Sequence, residues 1–299
     1  MVRLVPLLAA VAAATTACGS PEPTYTKDRI SNERLLQMVE QPLARAEAGD
    51  LAAAQRQFEA QLERSRPQDA PDLLTAFGVG LFTRGLETDS EPLLRAAVPY
   101  LERAVPATAG RFGPEHAETA LALTTYADAL RKLSPDDPPR AADEAYARAY
   151  RIRARTLGTG NAETLYSLLR LAQVKGLASR TGGDPARIAE AAALFEAVVR
   201  GREANPHQPE SESPENARFA LIEMYVANGR IEEATEVALT SEAVTGRRNV
   251  RCDIGPARVA VAAALRRKGR NADAETTLNP PSPPPPECLF DPTFRRATR

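Results

Sequence analysis

The sequence predicts an all-α fold in which helical hairpins stack side by side. Of the 299 residues 43% are hydrophobic, but only 5% are aromatic and Trp is absent. Alanine supplies much of the hydrophobic fraction, and the chain lacks the β-branched and aromatic runs that strands prefer. Such a chain can bury many small side chains between closely packed helices. Two recurring patterns, described next, divide these helices into hairpins.

The first pattern is a Gly followed five positions later by an Ala. It occurs three times, at residues 49–54, 229–234 and 269–274. In each copy the Gly can adopt the left-handed conformation that ends a helix, and the Ala allows close approach of the paired helix. Each segment therefore predicts the turn of a helical hairpin.

The second pattern is an internal repeat of 40 to 50 residues. An aromatic residue follows an Ala by four positions, one turn further along the same helix face, in Ala54/Phe58, Ala96/Tyr100, Ala142/Tyr146 and Ala191/Phe195. Successive pairs are 42, 46 and 49 residues apart. At an offset of 45, residues 117–119 and 162–164 both read Ala-Glu-Thr, and Leu123/Leu168 and Ala127/Ala172 stay in register. A period of this length indicates a helical repeat array.

One stretch carries a family resemblance. Tyr100 is followed by Leu-Glu-Arg-Ala, and residues 112–120 read Phe-Gly-Pro-Glu-His-Ala-Glu-Thr-Ala. This stretch resembles the tetratricopeptide repeats of kinesin light chain, in which a similar helix end is followed by Gly, a turn with Pro and His, and a Thr-Ala helix start. The resemblance extends over residues 30–279 and is clearest for 92–240. It implies a right-handed solenoid of about six hairpins, with the first helix of each hairpin lining a concave groove.

The resemblance also implies a groove for a protein or peptide. Repeats of that family usually carry paired asparagines that clamp an extended peptide. This chain has Thr124-Thr125, Leu169-Arg170 and Phe219-Ala220 there instead, which places that clamping mode in doubt. The implied groove residues are Thr125, Arg170, Phe219, Glu223 and Val259. Ordinary packing or solvated surface is the alternative interpretation for each of them.

Twelve helices are expected. Their predicted ranges are 31–48, 50–65, 70–87, 90–108, 115–133, 138–157, 161–180, 184–203, 213–228, 230–246, 254–268 and 270–278. Pro42 removes a backbone donor, so the first helix is expected to kink or restart there. Residues 205–213 are expected to form a loop, and the prolines of 280–286 an extended polyproline segment.

The amino terminus predicts export. Arg3 and an uncharged apolar run over residues 4–17 have the order of a signal peptide, and the run is too short to span a bilayer. The run ends at Thr15-Thr16-Ala17-Cys18, which resembles a bacterial lipobox except for Thr15. We expect lipidation of Cys18 and an anchor in a membrane of the cell envelope; ordinary cleavage nearby is the alternative. The expected organisation is a signal peptide (1–17), a tether (18–29), a repeat domain (30–279) and a Pro-rich tail (280–299).

Several classes of function are disfavoured. Removing residues 1–17 takes away one basic residue, Arg3, and leaves 37 basic against 39 acidic residues. Interleaved charges of this kind are typical of solvated helix faces rather than nucleic-acid sites. His116 and His207 lie in expected turns without a catalytic motif, and the cysteines lack metal-ligand spacing. No catalytic residue, metal site or cofactor is predicted.

Cys252 and Cys288 are expected to form a disulfide, because an exported chain is oxidised and lipidation of Cys18 would leave an even pair. Two free thiols are the alternative. The sequence favours a scaffold that binds a protein or peptide. A self-associating envelope protein and a regulator that recruits an envelope enzyme remain alternatives.

Overall fold

The computed structural model describes residues 30–135, 138–178, 185–205, 214–245 and 255–278. These residues form twelve α-helices and one 3-10 turn, and no strand is found among them. The signal peptide, the tether, Cys252, Cys288, the tail and most of the 205–213 loop lie outside these ranges, so the predictions made for them stay predictions. In chain order the helices are α1 (Asn32–Glu47), α2 (Leu51–Arg64), α3 (Ala70–Glu87), α4 (Glu91–Phe112), α5 (Ala117–Leu133), α6 (Arg140–Thr156), α7 (Ala162–Ala178), α8 (Pro185–Glu203), α9 (Pro214–Ala227), α10 (Ile231–Thr245), α11 (Gly255–Arg267) and α12 (Asn271–Leu278).

The helices pair into six consecutive hairpins, from α1/α2 to α11/α12, which confirms the predicted fold class. The two helices of each hairpin pack together, and the first helices of most neighbouring hairpins also pack, as in α1 with α3 and α9 with α11. Every hairpin therefore contacts mainly its neighbours, which is the organisation of a solenoid.

The predicted glycine turns adopt one shared geometry. Gly49, Gly229 and Gly269 have φ values of +94°, +70° and +76°. The residue after each Gly donates its backbone N–H to the carbonyl five positions earlier, as in Asp50 to Arg45 at 3.1 Å, and this bond closes a helix end. The α3/α4 turn has the same bond with Asp89 at φ +49° in the Gly position. A pattern based on Gly could not show that turn.

The core is formed by the residues of the repeat. All four Ala–aromatic pairs are buried, and they lie on α2, α4, α6 and α8, the second helices of the first four hairpins. Phe58 stacks on Phe77 of α3 with ring centroids 4.0 Å apart, and the Tyr100 ring meets both rings edge-on. Burial, together with Glu59, raises the pKa of Tyr100 to about 12. The regular spacing of the pairs thus builds contacts between hairpins.

Two sequence predictions about helices differ from the structure. Of the kink or restart predicted at Pro42, the restart is wrong, because helix α1 continues through the buried Pro42 to Glu47. Packing of α1 on α3, where Leu43 lies against Gly80, outweighs the missing backbone donor. Helix α4 continues past residue 108 to Phe112 and ends at Gly113, whose φ of +107° is one that residues with a side chain rarely adopt. Arg111 of its last turn binds the Asp72 carboxylate of α3 at 3.0 Å.

Crossing a bilayer requires a helix that is both long and apolar. None of the described helices combines sufficient length with sufficient apolar character to span a membrane.

Candidate functional site

The five predicted groove residues all lie on first helices of hairpins. In chain order they are Thr125 on α5, Arg170 on α7, Phe219 and Glu223 on α9, and Val259 on α11. Glu223 is exposed and the other four are half-buried. We call the surface formed by the open sides of these first helices the first-helix face.

Arg170 is the best-defined member of the first-helix face. Its Nε donates to the Tyr166 hydroxyl at 3.0 Å and lies 3.7 Å from Oδ1 of Asp128 on α5, and its Nη1 donates to Gln173 at 3.1 Å. Its guanidinium also lies over the Tyr166 ring, 4.9 Å from the centroid. These contacts hold a cation in a fixed position on the face while a quarter of the side chain stays exposed.

Asp128 connects Arg170 to α6, the second helix of the hairpin that contains Asp128. Tyr146 on α6 donates its hydroxyl to Asp128 Oδ1 at 2.6 Å. Burial, and then the Asp128 carboxylate, raise the pKa of Tyr146 far above its usual range, so the hydroxyl stays a donor. Asp128 thus lies between a hydroxyl and a guanidinium, and a single carboxylate fixes both side chains.

Arg153 is a second internal cation beside this cluster. It is buried on α6 and donates from Nη1 to Ser167 on α7 at 2.6 Å and to Thr124 on α5 at 3.3 Å, and its Nη2 pairs with Glu163 at 3.1 Å. Burial lowers the pKa of Arg153, and the Glu163 carboxylate acts in the opposite direction. Arg153 therefore joins three consecutive helices beneath the first-helix face.

Thr125 and Phe219 have more ordinary surroundings than Arg170. Thr125 donates its hydroxyl to the Leu121 carbonyl of its own helix at 3.0 Å, and it lies one turn from Asp128. Phe219 packs against the hydrophobic cluster formed by α7 to α12. The structure therefore brings Arg170 together with the α5 segment that carries Thr125, whereas Phe219 lies apart from them, half-buried against the core of the last hairpins.

Sequence reasoning missed Asp128, Arg153 and Tyr166, and it named Tyr146 only as an aromatic residue of the repeat. A signal for two of them was present, since the offset of 45 that aligns Ala117 with Ala162 also aligns Leu121 with Tyr166 and Asp128 with Gln173. Polar residues at register positions of a repeat could have been added to the groove on that ground.

A metal site needs several ligands that converge on one point. The described residues contain no group of three or more His, Cys, Asp or Glu side chains placed to hold an ion. We call Arg170, Tyr166, Gln173 and Asp128 the Arg170 cluster. Their side chains instead offer hydrogen-bond donors, acceptors and aromatic surface of the kind found at protein interfaces.

Comparison with known proteins bears on the fold. No family model matches the chain, and the search of curated proteins gives no match. A solved structure of TPR-like repeats, from a Podosopora anserina protein described as a kinesin light chain, matches with a TM-score of 0.50 and 20% identity over 79% of this chain and 99% of that chain. The fold is TPR-like. A variant of such repeats from the same organism matches with a TM-score of 0.49 and 22% identity, over 66% of this chain and 89% of that chain. At these identities the TPR-like likeness concerns the fold alone.

Proposed function

We propose that this chain is an exported lipoprotein that acts as a scaffold without catalytic activity, and that it binds a protein or peptide through the first-helix face. The observation that carries the proposal is the TPR-like solenoid with the Arg170 cluster on its first helices. Stacked hairpins present an extended surface to a partner. Fixed Arg and Tyr side chains are the types that contribute most to protein interfaces.

The binding site is tested with the double variant Arg170→Ala/Phe219→Ala. We expect capture of partners from envelope extract to weaken by about tenfold, since truncating one or two central contacts commonly costs that much. Arg200→Ala is the matched control, because Arg200 is an exposed arginine on α8 whose ion pair lies along its own helix, with Glu196. Circular dichroism melts of each variant report folding separately. Unchanged capture by a folded double variant would remove both residues from the site.

The anchor is tested separately. The order of Arg3, an apolar run, small residues and Cys18 supports export followed by lipidation. We expect the intact mass of membrane-extracted protein to correspond to a chain that starts at a diacylglyceryl-cysteine, and Cys18→Ser to release the protein from the membrane. A mature start at another residue without a lipid mass contradicts the anchor but leaves the scaffold proposal standing.

A further inference from the structure

Neighbouring first helices pack least closely in the middle of the array. Their backbones approach closely at the two ends, where α1 meets α3 and α9 meets α11, and among the described helices the approach is weakest between α5 and α7. The third hairpin (α5/α6) and the fourth hairpin (α7/α8) meet mainly through α6 and α7. We call the place where these two hairpins meet the central joint.

Two polar contacts hold α7 to α6 near the two ends of α7. Near the beginning of α7, Arg153 of α6 donates to the Ser167 hydroxyl at 2.6 Å and pairs with Glu163 at 3.1 Å. Near the end of α7, Lys175 lies 3.4 Å from the Asp143 carboxylate of α6. The Arg153 side chain is buried, and a buried cation that loses its partner is costly. The contact between α6 and α7 is therefore held in place along α7.

The Asp128–Arg170 ion pair spans the central joint on the first-helix face. Its two charged groups are 3.7 Å apart, and about a fifth to a quarter of each side chain is exposed. Tyr146 keeps Asp128 on the third hairpin through the 2.6 Å hydrogen bond described above. A partly exposed ion pair contributes little free energy and is weakened by salt. On this side of the joint, α5 and α7 are thus held by a contact that opens easily.

Hydrophobic burial is also limited at the central joint. One large cluster of buried residues is formed mainly by α1 to α4, and another by α7 to α12. The cluster between them has ten buried residues, of which five are alanines, and α7 supplies Leu171 and Val174 to it. Small side chains bury little apolar area. The array therefore consists of two well-packed arms, α1–α6 and α7–α12, that meet at a less apolar joint.

We infer that the central joint is a hinge, that the two arms turn about the contact between α6 and α7, and that the Asp128–Arg170 pair is a latch across the gap between α5 and α7. The contacts of Arg153 and Lys175 lie on the α6/α7 contact, whereas the latch lies to one side of it. A rotation about that contact therefore separates Asp128 from Arg170 and leaves the other contacts in place. Hinges of this kind concentrate a domain motion at a few residues.

The hinge sets the width of the proposed binding surface. Thr125 on α5 and Arg170 on α7 lie on opposite sides of the central joint. A partner that contacts both side chains is held at one bend of the array, and opening the latch weakens its binding. This consequence rests on the proposed function, whereas the hinge itself can be measured without a partner.

Distances between two spin labels test the hinge in the purified full chain. One label pair, at Lys132 of α5 and Ala227 of α9, spans the central joint on the first helices. The other pair, at Arg95 of α4 and Ala193 of α8, spans it on the second helices. All four positions are exposed. Labels carried by a non-canonical amino acid leave the cysteines unchanged, and circular dichroism melts report the folding of each labelled chain.

Asp128→Asn removes the charge of the latch at nearly constant shape. Opposite charges attract strongly only within about 4 to 6 Å, and the pair starts at 3.7 Å, so the Lys132–Ala227 distance should lengthen by roughly 3 Å or more. The Arg95–Ala193 distance should stay the same or shorten, since it lies on the other side of the hinge. Salt at about 1 M should lengthen the first distance in the unaltered chain as well, and should add nothing in Asp128→Asn.

Two matched variants separate the latch from general effects. Asp128→Glu keeps the carboxylate and should keep the original distances. Glu59→Gln removes an ion pair with Arg103 that joins the first two hairpins and should leave both distances unchanged. Equal lengthening of both label distances would mean that the array loosens as a whole and would overturn the hinge. So would a Lys132–Ala227 distance that ignores both salt and Asp128→Asn, or that responds equally to Asp128→Glu.

The outcomes also separate the hinge from the proposed function. If the label distances respond as expected but Arg170→Ala/Phe219→Ala leaves capture from envelope extract unchanged, the hinge stands and the proposed binding surface is wrong. If the distances do not respond but the double variant weakens capture, the binding surface stands and the hinge is wrong.

Discussion

Thr119 and Thr164 occupy the same position in successive hairpins, but their hydroxyl groups differ. Both side chains are fully buried. The Thr119 hydroxyl donates to the Gly113 carbonyl at 2.8 Å, whereas the Thr164 hydroxyl finds no hydrogen-bond partner among the described residues. A buried hydroxyl that is paired contributes stability, and one that is unpaired costs stability.

We therefore expect isosteric replacement to have opposite effects at the two positions. Thr119→Val should lower the free energy of unfolding by about 1 to 2 kcal/mol, because it leaves the Gly113 carbonyl without its donor. Thr164→Val should leave it unchanged or raise it by up to about 1 kcal/mol, because it removes an unpaired polar atom. Urea titrations of both variants compare the two positions within one protein. A larger loss for Thr164→Val than for Thr119→Val would contradict the assigned hydrogen bonds.

At the scale of residues, the sequence predicted where Arg170 lies but not which side chains hold it. The resemblance placed Arg170 on a first helix correctly. It could not show that Arg170 would be held by Asp128 and Tyr166, because carboxylates occur on most of the helices and the sequence does not reveal which one turns inward. Tyr146 was recognised only as a core aromatic, since the repeat pattern contains the ring and not its hydroxyl. Which polar side chains meet depends on the direction of each side chain. The spacing of the hydrophobic residues carries no information about that direction.

Helix α3 is the element whose packing is tightest around glycine. A Cβ atom at Gly85 would lie 2.8 Å and 2.9 Å from side-chain atoms of Leu94 and 3.0 Å from its backbone nitrogen. The side chain could adjust, but the backbone of α4 cannot move away without disturbing the hairpin. Gly110 of α4, in contrast, has open space around its Cβ position.

Gly85→Ala and Gly110→Ala should consequently change stability in opposite directions. In a helix Ala is favoured over Gly by about 1 kcal/mol, and Gly110→Ala should gain roughly 0.5 to 1 kcal/mol of unfolding free energy. Overpacking costs about 1 to 3 kcal/mol, so Gly85→Ala should lose about 1 kcal/mol or more in spite of its better propensity. Thermal and urea unfolding measure both values. A stabilised Gly85→Ala would mean that α3 and α4 are less closely packed than the structure indicates.

Element positions were predictable where local signals and packing agree. The turns at Gly49, Gly229 and Gly269 combine a residue suited to positive φ with a repeat spacing, and the structure confirms them. Pro42 shows the limit of prediction from local signals, because a rule based on the lost backbone donor ignores the burial that keeps α1 continuous. The end of α4 had a local signal that the prediction did not use, because the helix stops at Gly113, which has φ +107°. The burial of Pro42, in contrast, depends on contacts with α3 that are distant in sequence and leave no local trace.

For the whole molecule, the stability of the array depends on its ends. Each inner hairpin is covered on both sides, whereas a terminal hairpin of a solenoid has one side without a neighbouring repeat. The last described helix, α12, has eight residues and packs on α11, which has thirteen. At about 1.5 Å per residue, α12 ends roughly 7 to 8 Å short of the level at which α11 begins. A covalent link across that end would secure the shortest hairpin of the array.

The predicted bridge between Cys252 and Cys288 would provide this link. Cys252 precedes the start of α11 at Gly255, and Cys288 follows the end of α12 at Leu278, so the antiparallel hairpin returns the chain toward its origin. Cys288 lies ten positions after Leu278, and an extended chain of that length reaches up to about 33 Å, more than the gap requires. Closing a loop of this size should contribute about 3 to 4 kcal/mol if the bridge is unstrained. We expect reductant to lower the melting temperature of the native protein and to leave that of Cys252→Ser/Cys288→Ser unchanged. Peptide mapping without reductant should yield the linked peptides, and recovery of two alkylatable thiols at these positions would refute the bridge.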